Sequence, residues 1–252
     1  MLDVAISALK ATSPREETSP TETPGARAPI DITLPLSTIG MWRPLVGDLH
    51  PYCSEYWGIV RLGADQNEGI AMTCWAFTGF DNTASDVTPI KVLLLAQQDD
   101  GTLRIATDEY LPSAVTNGGG SVNVADFNGD GRDDIFLAAH NESPFVAKPS
   151  TVYLSRLDGK FEKVTLNDAV MAHDASLEWL NGKPVVLTVG FAEPPMKNPM
   201  YTYDGKGGFR VTSPYESIVA VSVTMGDFLG DGSQYVVFSD FRYGPDFGSH
   251  PV

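Results

Sequence analysis

"VNVADFNGDGRDDIFLAAH", residues 122–140, crowds five carboxylate or carboxamide side chains into the nine positions from Asp126 to Asp134, between two apolar runs. Asp126, Asp130 and Asp134 repel one another across a tight turn unless positive charge sits among them. The flanks "SVNVADF" and "DDIFLAAH" alternate with period two and are rich in Val, Ile and Phe, so the loop joins two strands. Numbered from Asp126, side-chain oxygens fall at positions 1, 3, 5 and 9, on Asp126, Asn128, Asp130 and Asp134, with Gly131 at position 6 where the chain must turn sharply. Arg132, at position 7, offers its backbone carbonyl. Alternate residues of a tightly wound loop point inward, so these oxygens converge on one centre, and Ca²⁺ accepts about six to eight of them. Mg²⁺ fits less well, because it demands a rigid octahedron and keeps its waters. An EF-hand shares the early spacing but needs a Glu at position 12 and helices on both sides; position 12 here is Leu137.

Outward from this loop the chain repeats itself. Asp-Gly pairs at 100–101, 158–159 and 204–205 each stand between strand-like flanks. Such a pair supplies the positive φ angles of a tight hairpin. A second series precedes the hairpins: "GIAMTCWAFTGF", "VNVADFNGDGRDDIFLAAH", "ASLEWLNGKPVVLTVGF" and, last, "VAVSVTMGDFLGDGSQYVVFSDF". The unit is therefore two strands around a polar loop followed by a two-strand hairpin, about four strands in ~50 residues, a period that belongs to propellers and related arrays. The expected fold is all-β: a propeller-like array of four-stranded blades at about 42–112, 119–168, 171–214 and 217–252, the last incomplete, giving a partial propeller of about three and a half blades. Either "IDITLPL" at 30–36 completes the last blade or the chain is part of a longer propeller; the second is preferred.

With its residues in this order, "DFNGDGRDDIF" resembles the calcium loop of FG-GAP and VCBS-type repeats, the blades of integrin-α-like β-propellers. The resemblance implies Ca²⁺ as cofactor, held by Asp126, Asn128, Asp130, the Arg132 carbonyl and Asp134. It covers about residues 120–240. It weakens at "GDFLGDGSQYVVF", which keeps Asp227, Phe228, Gly230, Asp231 and Gly232 but has Leu229 at position 3 and Tyr235 at position 9. That loop reads as a relic turn whose glycines preserve the shape. The middle copy has shrunk to "WLNGKP", where Asn181-Gly182 makes a plain hairpin.

Composition narrows the function. Thirty-two acidic residues stand against 17 basic ones, a net charge of −15, and residues 1–40 hold only five of the acids and three of the bases. An acidic folded part with no basic stripe disfavours nucleic acid and anionic membranes and suits divalent cations or neutral ligands. No apolar run approaches the ~20 residues of a membrane span, so no membrane insertion is expected. Residues 1–29 read as an N-terminal arm and linker before a repeat domain at 30–252. Within the arm "MLDVAISALKATSP" carries Asp3 where a signal peptide carries Lys or Arg, and suggests a short helix or a frayed end. "TSPREETSPTETPGARA" has no large apolar residue with which to offset the entropy of ordering, and reads as disordered. Cys53 and Cys74 form one bridge or none.

Other chemistry is sparse. His140 and the His173-Asp174 pair sit where they reach a propeller's channel or top face, but no second catalytic group stands at a defined spacing from them. His50 and His250 read as ordinary loop residues, and Ser54 and Ser176 lie in no nucleophile-elbow pattern. "NGGGS" at 117–121 lacks the Lys and helix of a phosphate loop and reads as a flexible turn. Trp75 and Trp179 fall in strand patterns and are expected in the core, while Trp42 and Trp57 are open to sugar stacking. Asn141-Glu142-Ser143 is a glycosylation sequon by pattern. The expectation is a non-catalytic, calcium-binding repeat protein for adhesion or for binding a protein or glycan ligand, placed outside the cytoplasm or in a periplasm although no signal peptide is visible. A lectin-like or accessory module of a carbohydrate-active protein is the alternative. Open blade edges imply self-association, and inner-strand residues such as Val221, Val223, Val236 and Val237 are expected to lack a neighbouring blade to cover them.

Overall fold

The computed structural model describes residues 4–9, 56–73, 90–117, 119–140, 146–190, 197–216 and 218–239, with only the backbone for 4–9, 90 and 168. Nearly every element is a strand. The first, β1 (Val4–Leu9), is claimed by the last sheet. Sheet I holds β2 (Tyr56–Leu62), β3 (Asn67–Thr73), β4 (Ile90–Gln97) and β5 (Leu103–Ile105), with β6 (Val115–Thr116) added beside β4. Between β5 and β6 a single helical turn, α1 (Thr107–Tyr110), docks on β4, where the Thr107 hydroxyl oxygen accepts the Leu94 N–H at 3.0 Å. Sheet II runs through β7 (Val122–Ala125), β8 (Asp134–Leu137), β9 (Lys148–Ser155) and β10 (Phe161–Val170). Sheet III runs through β11 (Asp174–Leu180), β12 (Lys183–Val189), β13 (Met200–Tyr203) and β14 (Phe209–Thr212). Sheet IV joins β15 (Ser222–Gly226), β16 (Gln234–Ser239) and β1. All pairings are antiparallel, and all join sequence neighbours except β4 with β6 and β1 with β16.

The sheets stack face to face, and the stacking explains the apolar runs. In β8 every residue is buried. Ile135 and Leu137 join Val60, Leu62, Val92 and Leu94 between sheets I and II, whereas Phe136 and Ala138 join Val186 and Tyr201 between sheets II and III. A strand covered on both faces reads as a continuous apolar segment because its alternation serves two cores. The pattern repeats in β12, where Val186 faces sheet II while Leu187 and Val189 pack with Val223, Met225, Val236 and Phe238 of sheet IV. Successive antiparallel meanders packed in this way form a propeller-like array, all-β as expected.

The three Asp-Gly pairs are the tips of β4–β5, β9–β10 and β13–β14. Each glycine has φ near +80° (82°, 80° and 78° at Gly101, Gly159 and Gly205), and each aspartate accepts the N–H two residues on. Asn181 and Gly182, with φ of 52° and 73°, close the β11–β12 hairpin between the paired Leu180 and Lys183.

Two expectations are corrected. Val4–Leu9 is neither helix nor frayed end: it pairs along β16 from Val4 with Ser239 to Leu9 with Gln234. Its apolar residues at 4, 6 and 9 suit either period, and the open edge of β16 decides for the strand. Val223 and Val236, expected to lack cover at the open end of the array, are buried against sheet III. "IDITLPL", Cys53, Cys74, Trp42, Trp75, His50, His250, Ser54 and the sequon lie outside the described residues.

Candidate metal centre

The loop between β7 and β8 leaves the sheet after Ala125 and returns at Asp134, which are paired to each other. Gly129 and Gly131 turn it, with φ of 78° and 82° and nothing within 4 Å of a Cβ at either, so their role is conformational freedom rather than space. Asp126 then gathers the backbone. Its Oδ1 accepts the N–H groups of Gly129 (2.7 Å) and Asp130 (3.0 Å), and its Oδ2 that of Gly131 (2.7 Å). Asn128 Oδ1 accepts the Asp130 N–H at 3.0 Å; Asp130 accepts from Arg132 N–H at 2.9 Å and from Asn128 Nδ2 at 3.2 Å. Asp134 lies at the bottom, fully buried. Its oxygens accept the N–H groups of Phe127 (2.9 Å), Asn128 (3.4 Å) and Ser155 (2.7 Å). Burial pushes its carboxyl up to about 6, outweighing the hydrogen bonds from Ser155, Phe127 and Asn128 that pull it down.

These residues fit a hard cation by their donor chemistry. A carboxylate has about four acceptor sites. Asp126 and Asp134 each use three and Asp130 uses two, so all three keep an oxygen lone pair for a ligand. With the Asn128 amide oxygen and the Arg132 carbonyl, the loop offers oxygen donors alone, the set that Ca²⁺ selects. Among the described residues no three acidic, imidazole or thiol groups are gathered closely around one point, because the loop carboxylates are turned onto N–H groups of their own backbone.

The loop between β15 and β16 is wired in the same way. Asp227 accepts from Asp231 N–H at 3.0 Å and Gly232 N–H at 2.8 Å, and Asp231 accepts from Ser233 N–H at 2.8 Å. Gly230 and Gly232 repeat the positive φ angles, 69° and 80°. Position 9, however, is Tyr235, whose hydroxyl donates to Asp231 Oδ2 at 2.6 Å and holds that carboxyl below the usual range. The backbone shape thus persists where Leu229 and Tyr235 supply no carboxylate.

Two sets of contacts escaped the sequence. Asp133, beside the expected ligands, forks onto β2: it accepts from Arg61 N–H (2.9 Å), Nε (3.0 Å) and Nη2 (2.5 Å). Arg132 Nη1 donates to the Gly63 carbonyl of the same turn at 3.3 Å. At the other end of the inner strands Asp174 joins three sheets, accepting from the hydroxyls of Ser121 (2.5 Å) and Ser222 (2.6 Å) and from Val223 N–H (3.1 Å). Only the doubled Asp133-Asp134 hinted at the first, and nothing local at the second.

The remaining candidates divide. His140 and His173 come together, and the His173 Nδ1–H donates to the Val221 carbonyl at 2.6 Å. Ser176 is structural, its hydroxyl oxygen accepting the Met225 N–H at 3.0 Å. Gly120 of "NGGGS" is a close-packing glycine, since a Cβ there would meet the Ala138 carbonyl and His140 Cβ at 2.9 Å. Trp179, expected in the core, is 49% exposed at the end of β11, and Trp57 is 53% exposed on β2.

Residues 118–155 match the family model of the FG-GAP repeat, so the chain carries an FG-GAP repeat that comprises β7, the acidic loop, β8 and β9. No curated protein matches the chain. Among solved structures it is similar to Bacillus licheniformis rhamnogalacturonan lyase PL11, at 17% identity and a TM-score of 0.42, over 74% of this chain and 40% of that one. It is also similar to the exotype rhamnogalacturonan lyase YesX, at 14% identity and a TM-score of 0.44, over 74% and 38%. The chain therefore spans about two fifths of the length of the solved structures it matches.

Proposed function

We propose that the chain is a non-catalytic, FG-GAP-type propeller module that binds Ca²⁺ in the loop 126–134 and presents its blades to a protein or glycan ligand outside the cytoplasm. The observation that supports this reading is the loop itself: three carboxylates, an amide oxygen and a carbonyl on nine residues, each carboxylate keeping an acceptor site after the backbone is satisfied. At a calcium concentration a hundred times the Kd, mass action adds about 2.7 kcal/mol to stability, a large fraction of a domain's margin. Isothermal titration of the EDTA-stripped, desalted protein with CaCl₂ tests it. One site is expected, lost in Asp130→Ala and kept in Asp231→Ala. Absence of heat, together with melting curves unmoved by millimolar Ca²⁺, would overturn it.

A second reading, carbohydrate binding, is favoured by one observation. Trp57 and Trp179 expose about half their surface, and exposed aromatic faces stack on sugar rings. A glycan array probed with and without chelator separates the two: binding lost in Trp57→Ala but kept in EDTA would favour the second.

A further inference from the structure

The expected ligands all lie on sheet II, yet the half of the loop that carries positions 7 to 9 is held from sheet I. Ala125 and Asp134 form the last pair of the β7–β8 ladder, so Asp133 is the first residue beyond it, and among the described residues no hydrogen bond from its own sheet fixes its side chain. Arg61 does. Its guanidinium meets both Asp133 oxygens while its main-chain N–H, on the open edge of β2, takes the same carboxylate. A bidentate fork fixes direction as well as distance, which a lysine's point charge does not. The β2–β3 turn is seated on sheet II at two more places. Arg132 Nη1 reaches the Gly63 carbonyl, and Gly159 of the β9–β10 hairpin lies so close that a Cβ there would stand 2.8 Å from Ala64 N and 2.9 Å from Gly63 Cα. Arg132 and Asp134, which flank Asp133, are positions 7 and 9 of the expected shell.

We propose that Arg61 is a positioning residue for the loop's cation: through Asp133 it pre-orders the Arg132 carbonyl and the Asp134 carboxylate, and cation binding in turn tightens the seating of sheet I on sheet II. The proposal rests on the calcium reading above. Ordering a site before its ligand arrives removes part of the entropic cost of binding. Reciprocity follows, because a contact that raises affinity for the ion is strengthened by the ion to the same extent. The degenerate loop supports the pairing of the two features. It has lost positions 3 and 9, and at position 8, the place of Asp133, it carries Gln234, whose side-chain oxygen is buried without a hydrogen-bond partner among the described residues. Two of the ligand positions and the clamping aspartate are absent from it together.

The test uses the whole chain and Ca²⁺ itself. By calorimetry Arg61→Met and Asp133→Asn should each weaken Ca²⁺ at least about fivefold, the lower end of ordinary coupling between sites, with the double variant no worse than the weaker single. Arg61→Lys should not restore affinity. Half of the Arg61 side chain faces solvent, so its replacement leaves the fold intact, and Asp133→Asn keeps the volume of its site. Hydrogen exchange supplies a readout that a merely structural role would not move: Ca²⁺ should slow exchange at residues 59–64 in the wild type and not in Arg61→Met. Wild-type affinity in both single variants, or exchange at 59–64 indifferent to Ca²⁺ in a wild type that binds it, overturns the proposal alone. A wild type that binds no Ca²⁺ overturns the calcium reading and this inference with it.

Discussion

The Ser155 N–H donates to Asp134 Oδ1 at 2.7 Å, so the ninth position of the acidic loop also fastens the end of β9. Asp134 therefore has a structural duty that the exposed Asp130 lacks. In EDTA, Asp134→Ala should cost about 2–4 kcal/mol in urea denaturation, because the N–H groups of Phe127, Asn128 and Ser155 lose their acceptor. Asp130→Ala should stay within about 1 kcal/mol under the same conditions. Equal losses in the two variants would show that the loop's ligands share one role.

Asp134 also sets a pH dependence. Its carboxyl is raised to about 6 in the fold by burial, above its unfolded value, so the folded state holds this proton more tightly. In EDTA its contribution to stability is full below about pH 4 and is lost as the pH rises through about 6. Calcium binding runs the other way. The ion needs the carboxylate, so affinity should fall as the pH drops below about 6, by up to about tenfold per unit. Titrations at pH 5 and pH 7 check this, and an affinity unchanged between them would show that Asp134 is not a ligand.

Asp174 holds Ser121 of sheet II and Ser222 and Val223 of sheet IV from the start of β11. Asp174→Ala should destabilise by about 2–4 kcal/mol, since a charged acceptor of several hydrogen bonds is removed at once. Ser121→Ala should cost about 1 kcal/mol. Urea midpoints with unchanged slopes are the expected form of both results.

β1 occupies the edge of β16 with Ser7 opposite Val236. The Met225 N–H turns away from β16 to Ser176, so its partner Val236 turns its own N–H and C=O toward Ser7, and a proline at residue 7 removes a ladder donor and frees that edge. Ser7→Pro should therefore shift the protein toward oligomers in size-exclusion chromatography with light scattering. A variant profile identical to wild type would mean that this pairing does not guard the edge.

Local chemistry was legible and distant chemistry was not. The Asp-Gly tips at 100, 158 and 204 are read from two residues each, because positive φ and the Asx bond are properties of the dipeptide and its neighbour. The acidic loop is legible for the same reason, as all its expected ligands lie on nine successive residues. Arg61 and Asp133 are 72 residues apart, and no spacing marks an arginine on one inner strand as the partner of a loop on the next. Trp179 was misjudged because alternation tells which face a residue takes but not where its strand runs out beyond the neighbouring sheet. The strand at Val4–Leu9 was hidden because its partner is more than two hundred residues away.

Ile135 and Phe136 are adjacent in the chain yet lie in different cores. Melting should then be a single event. A blade that frays withdraws half the lining of both neighbouring interfaces, so free energy lost at one sheet is felt at the next, and partly unfolded arrays should be scarce even though each contact is only between neighbours. Evolution meets the same coupling. A blade cannot be duplicated, deleted or exchanged unless the odd and even residues of its middle strands match two different hosts. Drift is free only at the loops, where 227–235 keeps its turn with Leu229 and Tyr235 at two of the positions that carry oxygen donors in 126–134.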